Sequence, residues 1–174
     1  MTPRRRDALI LGAVAAGAAA IGGVVGALAL QSRSGAAELL ASRFTDLSGE
    51  PRRLVEWQGK ALVCNFWATW CAPCREEIPL LGAAQQQFQT RGLQVVGIAI
   101  DNAANVREYG LSIRIGYPVL LADSAGIDVM RSLGNTSGGL PFTVLLDRKG
   151  RLIERRLGPY TAASLEAAVA ALLQ

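Results

Sequence analysis

Two of the three cysteines in this 174-residue chain stand three apart, as Cys71 and Cys74 in the run Trp70-Cys71-Ala72-Pro73-Cys74. The chain has no histidine. That excludes a Cys–His or Ser–His–Asp nucleophile, a His-based metal site and an imidazole general base, and leaves thiols, carboxylates, hydroxyls and backbone to do any chemistry. A C-x-x-C pair is either a redox dithiol or half of a zinc site. Zinc would need two further ligands, and the one remaining thiol, Cys64, sits inside an apolar run; a three-cysteine site completed by a carboxylate is the competing reading. The redox reading accounts for the spacing. Cys71 falls where a strand pattern gives way to a helix pattern, so that free backbone N–H groups and the helix dipole favour a thiolate. Cys74 follows one turn later, within reach of a disulfide, and Pro73 takes a first-turn position where its missing N–H costs nothing.

The flanking elements suit that placement. Ala61 to Trp67 is a continuous apolar run, as expected of a strand buried on both faces in a parallel sheet. A helix follows to about Gln89, with Ile78, Leu81 and Phe88 on its inner stripe and Pro79 expected to kink it. Leu93 to Ile100 reads as a second buried strand. Asn102 can cap a helix that runs to Tyr109 and ends at Gly110. A short strand at Tyr117 to Leu121 and a short helix at Ile127 to Leu133 come next. Phe142 to Leu146 and Arg151 to Leu157 flank the turn sequence Asp147-Arg148-Lys149-Gly150, and Thr161 can cap a last helix from Leu165 to Leu173. Ahead of all these, Phe44 to Leu47 and Arg52 to Leu54 form a hairpin around Ser48-Gly49-Glu50-Pro51. Alternating strands and helices with a terminal hairpin make an α/β sheet covered on both faces.

Three cysteines are too few for a disulfide scaffold, and 51% hydrophobic residues is far too apolar for a disordered chain. The net charge of +4 comes largely from Arg4, Arg5, Arg6 and Arg33; elsewhere acids and bases nearly balance, which argues against a nucleic-acid surface. After the basic start, Ala8 to Leu30 runs 23 residues without a charge. As a helix it would span about 35 Å, enough to cross a hydrocarbon core of about 30 Å. An uncleaved signal anchor is the leading reading, a secretory signal cut at Ala27-Leu28-Ala29 the second, and a buried core helix the third. Arg5-Arg6 before a Gly/Ala-rich run also weakly suggests a twin-arginine signal. In the first two readings everything after about residue 31 is exported. The chain thus divides into residues 1–30 as anchor or signal, 31–42 as linker and 43–174 as the folded domain.

The stretch Gly59 to Pro79, GKALVCNFWATWCAPCREEIP, resembles the active-site segment of thioredoxin-like proteins, most of all the membrane-anchored, exported TlpA/ResA type. Gly139-Leu140-Pro141-Phe142-Thr143 resembles that family's cis-proline loop, and Asp147 to Gly150 its β-hairpin. The resemblance spans about residues 43–174. It implies a thioredoxin fold, a central mixed sheet flanked by helices, with an N-terminal β-hairpin and a helix-plus-strand insertion at about 102–125. It further implies that Cys71 is the attacking thiolate, Cys74 the resolving thiol and Pro141 the cis-proline packed against their disulfide. Leu140 would offer backbone to a substrate strand, and Trp70, Ala72 and Pro73 would complete the substrate-binding rim. Trp70 would shield the disulfide, while Trp67 belongs mostly to the core. Glu77 matches the active-site glutamate of the ResA-like branch; its other reading is an ordinary solvated helix carboxylate, as Glu76 is taken to be. Asn65 stands where thioredoxin has a buried aspartate that accepts a proton, so Glu77 or water must take that role. Cys64 reads as a small core residue. Thr136 to Gly139 looks longer and more flexible than the family's usual approach to the cis-proline.

Strong oxidants of this fold carry a histidine between their cysteines, whereas Ala72-Pro73 brings no charge. The expected potential is therefore nearer thioredoxin's, about −270 mV, than DsbA's, about −120 mV. That makes the protein a reductant of protein disulfides with no cofactor beyond the Cys71–Cys74 pair and no metal. Its location would be the bacterial inner membrane, with the catalytic domain in the periplasm, or the periplasm itself if the signal is cut. Such a protein needs re-reduction across the membrane, which implies an electron donor of the CcdA/DsbD type. The resemblance implies apocytochrome c thiols or copper-site cysteines as clients. Two rivals remain. A peroxiredoxin-like peroxidase needs a P-x-x-x-T-x-x-C pattern, but Thr69 is two before Cys71 and position 65 holds Asn, not Pro. A copper-carrying module of the C-x-x-x-C class would need another spacing and a histidine.

Overall fold

A computed structural model describes residues 35–122 and 124–174. The run from Ala8 to Leu30, its cleavage site and the first part of the expected linker lie outside the described residues. Seven strands form one mixed sheet: β1 (Phe44–Asp46), β2 (Pro51–Arg52), β3 (Ala61–Trp67), β4 (Leu93–Ala99), β5 (Val119–Leu121), β6 (Phe142–Leu146) and β7 (Leu152–Leu157). Their spatial order is β2-β1-β5-β4-β3-β6-β7. The central β3, β4 and β5 are parallel, while β1, β2, β6 and β7 pair antiparallel. The helices are α1 (35–41), α2 (Ala72–Phe88), α3 (Ala103–Ser112), α4 (Ser124–Ser132) and α5 (Ala162–Leu172).

Because side chains on a strand alternate between faces, β3 feeds two separate cores. Ala61, Val63 and Trp67 join Ile78 and Leu81 of α2, Val106 of α3, and Leu165 and Val169 of α5. Leu62, Cys64 and Phe66 join Ala36 and Leu39 of α1 and Met130 of α4. The expected sheet with helices on both faces is therefore present. So is the insertion, α3 plus β5, which is tied to the first hairpin by two hydrogen bonds from the Arg107 guanidinium to the Leu47 carbonyl, at 3.0 and 2.6 Å.

Several boundaries differ from the sequence reading. The linker expected over 31–42 is helical over 35–41, because Ala36 and Leu39 find buried places against the sheet; the domain begins earlier than residue 43. Pro51 lies in β2 rather than in the turn, and Leu54 opens a 3-10 turn (Leu54–Trp57) instead of ending a strand. Helix α3 passes through Gly110 to Ser112, since Ser112 Oγ donates to the Tyr109 carbonyl and Ile113 N–H to the same group. Helix α2, by contrast, contains Pro79 as the sequence reading has it, and that residue is exposed. The expected caps are in place. Asn102 Oδ1 accepts from Asn105 N–H at 2.9 Å, and Thr161 Oγ1 from Ser164 N–H at 3.2 Å. In the β6–β7 turn, Asp147 Oδ1 accepts the Lys149 and Arg151 N–H groups, both at 2.9 Å, and Gly150 adopts φ +73°.

Candidate active site

The end of β3 delivers the chain into a loop whose shape is fixed from the next strand. Asp101, just past β4, accepts from Thr69 N–H at 2.9 Å and from Thr69 Oγ1 at 2.5 Å; its other oxygen takes Asn102 N–H and Asn105 Nδ2. Partial burial opposes ionisation of Asp101, but these hydrogen bonds outweigh it and hold the carboxyl below its ordinary value. The loop so anchored ends at Cys71, which is the N-cap of α2 and receives the Arg75 N–H on its carbonyl at 3.2 Å. Pro73 occupies the first helical turn as expected.

Cys71 and Cys74 are joined in a disulfide, with their Cα atoms 5.3 Å apart. The two partners are not equally accessible. Cys71 is 6% exposed and Cys74 0%, so an incoming thiol or disulfide meets Cys71 first. Around them, Trp70 and Ala72 are exposed and Pro73 half-buried, and Trp70 stands out at 70% exposure. Trp67 is fully buried. The Leu140–Pro141 peptide is cis. The register Phe66↔Phe142 puts Pro141 at the same end of the sheet as the Thr69–Cys71 loop.

Glu77, three residues beyond Cys74 and hence on the same helix face, is 1% exposed, unlike its exposed neighbour Glu76. Each of its oxygens has a partner. Oε1 accepts Tyr160 N–H at 2.8 Å, and Oε2 accepts Asn65 Nδ2 at 3.0 Å. Burial pushes this carboxyl above its ordinary range, against the pull of those two hydrogen bonds and of the Arg156 charge. The other Asn65 donor goes to Thr143 Oγ1 at 2.9 Å, which leaves Asn65 Oδ1 with no partner. An amide with both donors committed and an idle oxygen can serve either ionisation state. With its N–H₂ towards Glu77 it stabilises the carboxylate. Turned over, its oxygen accepts from a protonated Glu77 and from the Thr143 hydroxyl.

Sequence reasoning missed four contributors. Thr143 faces Asn65 directly across β3 and β6; a polar residue in each of two apolar runs was the available signal. Tyr160 acts through its backbone, which no residue type announces. Asp101 stands past the end of a strand, where its residue type alone does not show that it anchors Thr69. Asn135, buried at the end of α4, grips the Gly139 peptide from both sides: its Nδ2 donates to the Gly139 carbonyl at 2.8 Å, and its Oδ1 accepts the Gly139 N–H at 3.2 Å. That grip ties down the approach to Pro141, which the sequence made look loose.

The geometry also decides between chemistries. Cys64 points into the core opposite to Cys71 and Cys74, so the three thiols do not converge as a zinc site requires. The Thr69 hydroxyl is committed to Asp101 rather than offered to a peroxide beside Cys71.

Residues 35–172 match the redoxin family model. Over 129 residues the chain is 31% identical to the thiol-disulfide oxidoreductase ResA of Bacillus thuringiensis (strain Al Hakam), covering 70% of this chain and 69% of that protein. It is 32% identical over 124 residues to the thioredoxin-like protein YneN of Bacillus subtilis (strain 168), covering 69% of each. Among solved structures, a thioredoxin-family thiol:disulfide interchange protein from Chlorobium tepidum TLS superposes with a TM-score of 0.69 at 32% identity, over 76% of this chain and 93% of that one. These similarities agree with the paired cysteines at the head of α2. The chain belongs to the redoxin family and is a thioredoxin-like thiol-disulfide oxidoreductase of the TlpA/ResA type, with Cys71 and Cys74 as its C-x-x-C pair.

Proposed function

We propose that the protein is an exported reductant of protein disulfides, held at the bacterial inner membrane by residues 1–30, or free in the periplasm where that segment is cut. The carrying observation is the buried Glu77 carboxylate one turn beyond Cys74, combined with the uncharged Ala72-Pro73 between the cysteines. A strongly oxidising pair is one whose reduced, thiolate form is stabilised. A carboxylate beneath the pair does the reverse. It disfavours a neighbouring thiolate and so favours giving electrons away.

In the forward cycle the Cys71 thiolate attacks one sulfur of a client disulfide, forming a mixed disulfide and releasing the first client thiolate. The Cys74 thiol, shut off from bulk water, passes its proton to Glu77. Its thiolate then attacks the Cys71 sulfur, which restores the Cys71–Cys74 bond and releases the second client thiolate. Two electrons have moved to the client, whose thiolates take up two protons. Trp70, Ala72 and Pro73 offer the client an apolar rim, and Leu140 beside Pro141 offers backbone to its chain. No cofactor beyond the disulfide enters this cycle. The oxidised protein regains its dithiol from a membrane electron donor of the CcdA/DsbD type, and apocytochrome c or copper-site cysteines are the client chemistry that fits. Equilibrium titration against a dithiol couple of known potential tests the direction. A value near −270 mV, within about 30 mV, agrees with a reductant, and one above about −180 mV assigns the opposite flow.

A further inference from the structure

The loop between β7 and α5 reaches Glu77 through one contact, the Tyr160 N–H at 2.8 Å. Its position depends on side chains of β7. The Arg156 guanidinium lies over the Tyr160 ring, 4.6 Å from the centroid, and Arg156 Nε donates to the Pro159 carbonyl at 3.3 Å. The Tyr160 hydroxyl donates to Glu154 Oε1 at 2.6 Å. Arg156 thus grips the loop on both sides of the Pro159–Tyr160 peptide, the one whose N–H meets the carboxylate. Among the described residues Arg156 forms no direct salt bridge.

The groups that face Glu77 come from every element around it. Tyr117 precedes β5, Tyr160 lies on the β7–α5 loop and Arg156 on β7; Asn65 of β3 is neutral and is held in turn by Thr143 of β6, and Glu154 of β7 sits on the Tyr160 hydroxyl, while Cys74 is one turn back on Glu77's own helix. Arg156 is the one cation in that set.

We propose that Arg156 is a positioning residue for the dithiol: lying across Tyr160 and Pro159, it holds the Tyr160 N–H on Glu77 and keeps a positive charge near the carboxylate that takes the Cys74 proton. This rests on the reading of Glu77 as proton acceptor. Without Arg156 the N–H contact loosens and the charge is lost, and both changes favour the protonated carboxyl. Glu77 then ionises, and becomes able to accept the Cys74 proton, only at higher pH.

The test follows thiolate formation in the reduced full-length protein by ultraviolet absorbance across pH, with oxidised glutathione as the disulfide for the matching rate profile. Arg156→Met is expected to move the Glu77-dependent inflection to higher pH by about half a unit, a value kept small because Arg156 is half-exposed. Arg156→Lys is expected to bring it most of the way back. Arg156→Gln, which keeps a donor for the Pro159 carbonyl, is expected to shift it in the same direction by less, and serves as the neutral variant if Arg156→Met does not fold. In a Glu77→Gln background the same substitutions should shift nothing, because coupled residues reveal themselves by failing to add. An unmoved inflection in folded Arg156→Met or Arg156→Gln overturns the proposal. So does a shift that persists without Glu77, or a lowered melting temperature with no change in profile. If Glu77→Gln alone leaves the inflection in place, it is instead the reading of Glu77 that fails, and the two failures are told apart.

Discussion

On one face of β3, Cys64 stands between Leu62 and Phe66 in a hydrophobic core, and burial pushes its thiol up to about 12. On the other face the strand carries Asn65, and beyond its end come Cys71 and Cys74, with Glu77 and Thr143 on Asn65 and the Tyr160 N–H on Glu77. The same residue type is inert in one setting and reactive in the other. Desolvation alone raises a thiol and silences it; a helix N-terminus, partial access and a proton acceptor make it usable. Burial does not separate the two faces, since Cys74 is as fully buried as Cys64; the difference lies in the place at the head of α2 and in the polar side chains Asn65, Glu77 and Thr143 carried on that side of the sheet.

The contrast can be broken most severely at the reactive pair. Cys71→Ser is expected to abolish disulfide reduction, and Cys74→Ser to leave the client covalently attached to Cys71, both visible by non-reducing gel and mass spectrometry. Glu77→Gln should come next, slowing resolution of the mixed disulfide by about 10²-fold in stopped-flow measurements, in line with the usual contribution of a positioned acid–base group. A smaller effect concerns stability. The folded Glu77 carboxyl ionises above its ordinary value of 4.5, so the native state holds more protons than the unfolded one over the window from 4.5 upward. Stability therefore falls as pH rises through that window, and denaturant melts of Glu77→Gln should lack this slope. Asp101 has the opposite sign: its carboxyl lies below 3.8 in the fold, so its contribution is lost as pH falls through that region, and Asp101→Ala should cost about 1 kcal/mol in the same melts at neutral pH. On the inert face a change touches stability alone. Cys64→Ala is expected to cost about 1 kcal/mol through the space it leaves, with reductase activity unaltered.

Much of this was legible in the residues themselves. The largely apolar runs at Ala61–Trp67 and Leu93–Ile100 read as buried central strands, and Cys71-Ala72-Pro73-Cys74 at a strand-to-helix junction left little besides a redox pair. The early start of the domain was harder to see. Ala36 and Leu39 lie in a short stretch of small, apolar and polar residues, and nothing local shows that a sheet face waits to bury those two. Glu77 looks no different from Glu76 in a list of letters; the helix period, which turns one inward and the other to water, separates them. The contacts that hold Glu77 were least visible of all, because Tyr160 supplies a backbone N–H from 83 residues away and Arg156 acts through that loop.

The central claim, that thiol chemistry is confined to one face of β3, is most directly tested by tagging thiols with an alkylating reagent on the folded protein and reading each site by mass spectrometry. The account predicts Cys71 labelled in the dithiol form and protected in the disulfide form. Cys74 should follow it more slowly, and Cys64 should stay untouched in both until the protein is unfolded. Rapid labelling of Cys64 in the folded protein, or labelling of Cys71 that oxidants never suppress, would contradict it.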